Sequence, residues 1–267
     1  MRLLRRMAAC TTVLAALAAL ATPATPAGAL LGLPLPVALP GSGEPIELGH
    51  LPECLEAVPA ALSLPAPGRD VVRLDVRVLL DGVAPARGQE VFETARGAYA
   101  PLSIALTATF EQVSFTGASA GGLLEQAKER FGGGRPAGTD IVYVLTAKDI
   151  EEQGQDSVAG LADCIGGVAF ADRAFAVGEV FDPDTSAVGS IVLARQLTAR
   201  VAAHEIGHLM GAHHHYANCV EGILSGLGQG ELSPCTLMFN AADLASLEFS
   251  TLNGLVVRGH AEAYARP

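Results

Sequence analysis

The sequence predicts an α/β fold, a mixed sheet with helices, and three stretches carry that prediction. Val72, Leu74, Val76, Val78 and Leu80 alternate with Arg73, Asp75 and Arg77, the period-two pattern of a strand with one buried face. Ile141-Val142-Tyr143-Val144-Leu145 is an unbroken apolar run, which fits a central strand covered on both faces. Leu193, Leu197, Val201, His204 and His208 fall on one narrow stripe at ~100° per residue, the mark of a long helix with a single buried face.

The remaining elements follow in chain order. Residues 85 to 101 have helical spacing through Val91, Ala95 and Ala98. Ile104, Leu106, Ala108 and Phe110 alternate again and predict a second strand. Leu123, Leu124, Ala127 and Phe131 predict a short helix from about Gly122, stopped by Gly132-Gly133-Gly134 and Pro136. Two short strands are expected near Gly166 to Phe170 and Ala174 to Val180. Asp182-Pro183-Asp184-Thr185-Ser186 reads as a turn before the long helix, which runs from near Ile191 to Gly211. Its paired carboxylates could also bind calcium, the weaker of the two readings. A last helix is expected from about Leu252 to Tyr264. Strand, helix, strand, helix, strand is the order of a mixed sheet.

Five of the seven histidines lie between His204 and His215, within the run His204-Glu205-Ile206-Gly207-His208-Leu209-Met210-Gly211-Ala212-His213-His214-His215. This contains H-E-x-x-H-x-x-G-x-x-H. Histidines four apart project from one helical face and can reach one ion while the backbone stays hydrogen-bonded. Gly211 can end the helix in a left-handed conformation and swing the chain back, bringing His214 round as a third nitrogen. A fourth position is then left for water. Two imidazoles on a buried stripe need partners, and one Zn2+ serves both. Glu205, roughly 80° from the stripe's centre, falls at its rim, where it can touch water without being a ligand. His213 and His215 read as solvent-facing or as supports of the ligands.

At these residues the chain resembles the metzincin metalloproteases. Cys235-Thr236-Leu237-Met238-Phe239 is similar to the clan's methionine turn, and Met238 is expected to pack beneath the imidazoles. The adamalysin or reprolysin branch fits best, because its members carry cysteines where Cys219 and Cys235 stand. Val158-Ala159-Gly160-Leu161-Ala162 with Cys164, and Phe249-Ser250, resemble further words of that branch. Three features depart from it: His215 stands where members have aspartate, Cys235 lies three residues before Met238, and no long propeptide precedes residue 70. The resemblance implies a larger N-terminal and a smaller C-terminal subdomain around a cleft. It also implies that an extended peptide pairs with an edge strand within residues 158 to 170.

The resulting expectation is a zinc-dependent endopeptidase with His204, His208 and His214 on one Zn2+ and Glu205 as the general base for attack by zinc-bound water. The alternative is an exported zinc-binding protein with a protease-like fold and no catalysis.

Met1-Arg2-Leu3-Leu4-Arg5-Arg6, an Ala/Leu-rich stretch and Ala27-Gly28-Ala29 read as a secretory leader, residues 1–29. Residues 30–69 are rich in Pro, Gly, Ala and Leu without periodicity and read as an extension or short pro-segment; the catalytic domain is expected over 70–267. The product is expected to be secreted and monomeric, acting on protein or peptide substrates. A net charge of −11 disfavours nucleic acid and anionic membrane partners.

Without the leader, Cys54, Cys164, Cys219 and Cys235 remain. An even number in an exported chain favours two disulfides, with three possible connectivities. The local pair Cys219 with Cys235 would brace the loop between zinc helix and methionine turn, leaving Cys54 with Cys164. In the other reading Cys54 is a thiolate that blocks the metal's open position.

Overall fold

Ten residues of β1, Val72–Asp81, form the strand around which the sheet is built, with the side chains from Val78 onward all buried. The computed structural model describes residue 54 and residues 70–151, 158–181, 188–214, 236–239 and 246–265. The leader, most of residues 30–69, the 182–186 turn with its calcium reading, His215, Cys219 and Cys235 lie outside the described residues.

After β1 come α1 (Pro85–Tyr99), β2 (Ile104–Val113), α2 (Ala120–Arg130), β3 (Ile141–Thr146), β4 (Gly160–Ala162), β5 (Phe175–Glu179), α3 (Val188–Leu209) and α4 (Thr251–Tyr264). The sheet order is β2-β1-β3-β5-β4. The first four strands run parallel and β4 runs antiparallel to β5, so the fold is the mixed α/β type that the sequence predicts.

Helix α1 starts with Pro at its first turn, where the missing N–H costs nothing. It buries Val91, Phe92, Ala95, Ala98 and Tyr99. The helix tightens into a 3-10 turn over Ala100–Leu102 that contains Pro101, and the chain leaves through Ser103 at φ 55. Ser119 caps α2, its hydroxyl oxygen accepting from Gly122 N–H at 3.3 Å. All six residues of β3 are buried because both faces are covered. Tyr143 and Leu145 join the core that includes residues of α1 and α3, whereas Val142 and Val144 pack in the cluster holding α2 residues.

The short strand expected at Gly166 to Phe170 is not there. Gly167–Ala169 form a 3-10 turn entered through Gly166 at φ 82. At Gly167 a Cβ would collide with the Arg173 carbonyl oxygen, so the backbone doubles back too tightly for a strand. The edge strand is instead Gly160–Ala162, within the 158–170 stretch.

The last helix is pinned across the sheet by buried Arg258. Its guanidinium donates to the carbonyls of Leu102 at 3.0 Å, Ser103 at 2.5 Å and Asp70 at 2.7 Å. These acceptors lie just before β1 and β2 begin.

Candidate metal centre

His204 and His208 sit one turn apart on α3, both buried, with ring centroids 4.6 Å apart. The stripe below them is buried through Leu197 and Val201. The helix stops at Leu209, two residues short of the expected end, and Gly211 takes φ +85. Its N–H donates to the His208 carbonyl at 2.8 Å, and Ala212 N–H to Gly207 at 2.9 Å, which reverses the chain. The reversal brings His214 back over the helix.

Carbonyl partners fix the tautomers of the first two rings. His204 donates from Nδ1 to Leu237 O at 2.7 Å, and His208 from Nδ1 to Ala212 O at 2.8 Å. A carbonyl only accepts, so in each neutral ring the Nε2 carries the lone pair. Both Nε2 atoms point at His214 Nε2, at 2.9 and 3.0 Å. Burial, then the neighbouring imidazoles, hold His208 well below its usual range, so it is neutral near pH 7.

A single proton on His214 Nε2 could bridge only one of those two contacts. A shared cation satisfies all three nitrogens. Tetrahedral zinc with bonds of about 2.0–2.1 Å spaces its nitrogens about 3.3 Å apart, a few tenths wider than these rings stand. The donor set fits zinc, and among the described residues these three histidines form the one group of this kind able to hold a metal ion.

Glu205 is not at a wet rim. Only 1% of its surface is exposed, because β4 packs over that side of α3. A Cβ on Gly160 would stand 2.9 Å from Glu205 Cγ, so only glycine admits this approach. The Ala162 N–H donates to the carboxylate, while Oε2 has no partner among the described residues. Burial outweighs that hydrogen bond and pushes the carboxyl up to about 8.

Met238 is fully buried in the turn that follows Leu237. A Cβ on Gly207 would come 3.0 Å from its Sδ, placing the methionine against α3 at Gly207. His213 is exposed and its ring lies outside the cluster. The sulfurs of Cys54 and Cys164 are in contact, their Cα atoms 5.7 Å apart, and Cys54 N–H donates to Ile165 O at 3.0 Å. Cys54 is therefore engaged beyond β4 and not over the imidazoles.

Several supporting groups carry no signal in the sequence. The carbonyls of Leu237 and Ala212 and the N–H of Ala162 are backbone atoms, and Gly160 is visible only as part of a Gly-Leu-Ala word. Asn253 is the other omission. Its side chain holds the His213 peptide, donating from Nδ2 to His213 O at 3.0 Å and accepting from His213 N–H at 3.2 Å.

Comparison with known proteins adds a family likeness over part of the chain. No curated protein matches it significantly. Solved structures that resemble it include archaemetzincin from Archaeoglobus fulgidus in complex with malonate, at 16% identity, 67% of this chain, 96% of that one and a TM-score of 0.45. Archaemetzincin from Methanopyrus kandleri aligns at 21% identity over 73% of this chain and 98% of that one, with a TM-score of 0.49. Metalloproteinase-II from Bacteroides fragilis aligns at 16% identity over 74% and 58%, with a TM-score of 0.43. Residues 100–215, a span that includes all three converging histidines, are similar to the reprolysin-like metallo-peptidase family M12B.

Proposed function

We propose that this chain is a secreted zinc endopeptidase of the reprolysin-like branch, active as a monomer on protein or peptide substrates. The observation that carries the reading is the convergence of three Nε2 atoms, with Glu205 next in the chain to the first of the three histidines. His204, His208 and His214 are the ligands of one Zn2+. When bound there, zinc supplies Lewis acidity, acidifying water and polarising a substrate carbonyl.

The protein's own residues do the rest. Glu205 takes the proton from the attacking water and passes it to the leaving amine. Its Oε2 is the oxygen available for this, since Ala162 N–H is held by the other. Strand β4 is the docking edge: Ala159 O and Asp163 N–H bond β5, and with Ala162 N–H taken by Glu205, the backbone of Gly160 and the carbonyl of Ala162 are left for an incoming strand. An extended peptide would add there as a further strand. Residues 1–29 act as the export leader, and a disulfide between Cys54 and Cys164 joins the segment before residue 70 to the end of β4.

The test is a peptide-library cleavage profile of protein lacking the leader, with zinc content measured alongside and a chelator control. Glu205→Gln should retain zinc and lose turnover by several orders of magnitude. Cleavage by that variant at the wild-type rate would remove Glu205 from the mechanism. Wild-type protein that holds zinc and cleaves nothing would leave the non-catalytic zinc-binding reading in its place.

A further inference from the structure

The third nitrogen is the one that no helix supplies. His204 and His208 are placed by α3, but His214 stands at the end of a short arc, Gly211 to His213, beyond the last helical turn. Such an arc wanders unless something outside it holds the main chain. Two groups from α4 do so. Asn253, buried, takes both polar atoms of the His213 peptide, accepting its N–H at 3.2 Å and donating to its carbonyl at 3.0 Å. His260, two turns further along the same face, lies so close to Gly211 that a Cβ there would stand 2.5 Å from its Nδ1.

The side chain of His213 is exposed, so what Asn253 grips is the backbone leading into His214 and not the residue's identity. Asparagine is a poor helix former, and its amide is costly to bury without partners. In the first turn of α4 it is itself anchored, its N–H donating to the Ser250 hydroxyl at 3.3 Å. Only asparagine presents one donor and one acceptor at this reach: aspartate lacks the donor and glutamine is a methylene longer.

We infer that Asn253 is the positioning residue for the third zinc ligand, acting through the His213 peptide; this rests on the metal-site reading proposed above. Its loss leaves the two helical imidazoles and the α3 bonds of Gly211 and Ala212 in place and releases the backbone at His213, so the protein still folds while the metal is held less tightly and in an altered ligand field.

The test measures zinc affinity by competition with a chromophoric chelator, and the visible spectrum of the Co(II)-substituted protein, for wild type, Asn253→Ala, Asn253→Asp and Arg258→Ala. The last variant loosens α4 at the start of the sheet without touching the arc. Asn253→Ala should bind zinc on the order of 10-fold more weakly, at the lower end of what outer partners of metal ligands contribute, with a changed Co(II) spectrum. Asn253→Asp, which keeps one of the two bonds, should lie between, and it replaces the alanine variant if that fails to fold. Arg258→Ala should melt earlier yet bind zinc as wild type does. Asn253 variants with wild-type affinity and spectrum would overturn the inference. So would an equal loss of affinity in Arg258→Ala, because helix docking alone would then explain the effect. Wild-type protein that takes up no zinc would overturn the metal site itself and the positioning role with it.

Discussion

His204 donates its Nδ1 proton to the carbonyl of Leu237, 33 residues away, at 2.7 Å. The first candidate ligand is thus oriented by the backbone of the turn that holds Met238, whose side chain lies fully buried against Gly207. Cutting Met238 back to alanine should leave a cavity under α3 and cost about 2–5 kcal/mol in urea unfolding of the metal-free protein. Leucine, close in volume, should cost less than about 1.5 kcal/mol. Equal stability of the alanine variant and wild type would mean that the turn does not pack here.

Gly211 meets two constraints at once. Its φ of +85 is left-handed, and a side chain there would enter the ring of His260. Gly211→Ala should lose about 1–2 kcal/mol from conformation alone, with overpacking adding roughly 1–3 kcal/mol. Making the same change in a His260→Ala background should remove the second part and keep the first. Strict additivity of the two substitutions in denaturant titrations would rule out the contact.

Two buried tyrosines next to α3 should respond oppositely to loss of their hydroxyls. Tyr99 donates to Ala203 O at 2.7 Å. Tyr143 has no partner for its hydroxyl among the described residues and faces Gly178, where any side chain would clash with it. Tyr99→Phe should cost about 0.5–1.5 kcal/mol. Tyr143→Phe should be neutral or stabilising, and a cost equal to that of Tyr99→Phe would show that its hydroxyl is bonded in solution.

Glu179, at the end of β5, accepts from Ile150 N–H at 3.1 Å. Burial pushes its carboxyl up to about 7 from 4.5; the Ile150 bond opposes the shift and Asp149 adds to it. The folded state therefore prefers the protonated acid. This contribution is complete below the unfolded value of 4.5 and is lost as pH rises through about 7. Glu179→Gln keeps a neutral group at every pH, so its melting temperature should fall less than that of wild type between pH 5 and 8. Both proteins carry the same histidines, and the difference between their slopes isolates this one carboxyl group. Parallel slopes would contradict the assignment.

What could be read from the sequence was local. β1 and β3 announce themselves because alternation and a continuous apolar run are direct records of one and two buried faces. The three converging histidines are spaced by helix geometry and one glycine, all within eleven residues. Gly160–Ala162 shows no strand signal, being three residues long with neither β-branched nor aromatic side chains. Val168 and Phe170 mimic a strand, but the tight approach at Gly167 overrides their propensity. The helical wheel fixes the direction of Glu205 and not what lies there, so its burial under β4 came only with the tertiary structure. Asn253 was beyond reach for the same reason, 40 residues from the peptide it holds.

The groups that hold the far end of the arc lie on α4, and ribosomes make a chain from its amino end. When His214 is joined to the growing chain the helical ligands already exist, but Asn253 and His260 are still to come. A nascent chain of this protein therefore carries imidazoles without the scaffold that gathers them. Acquisition of a well-shaped centre is deferred until α4 has been made, when the sheet and α3 are already there to enclose it.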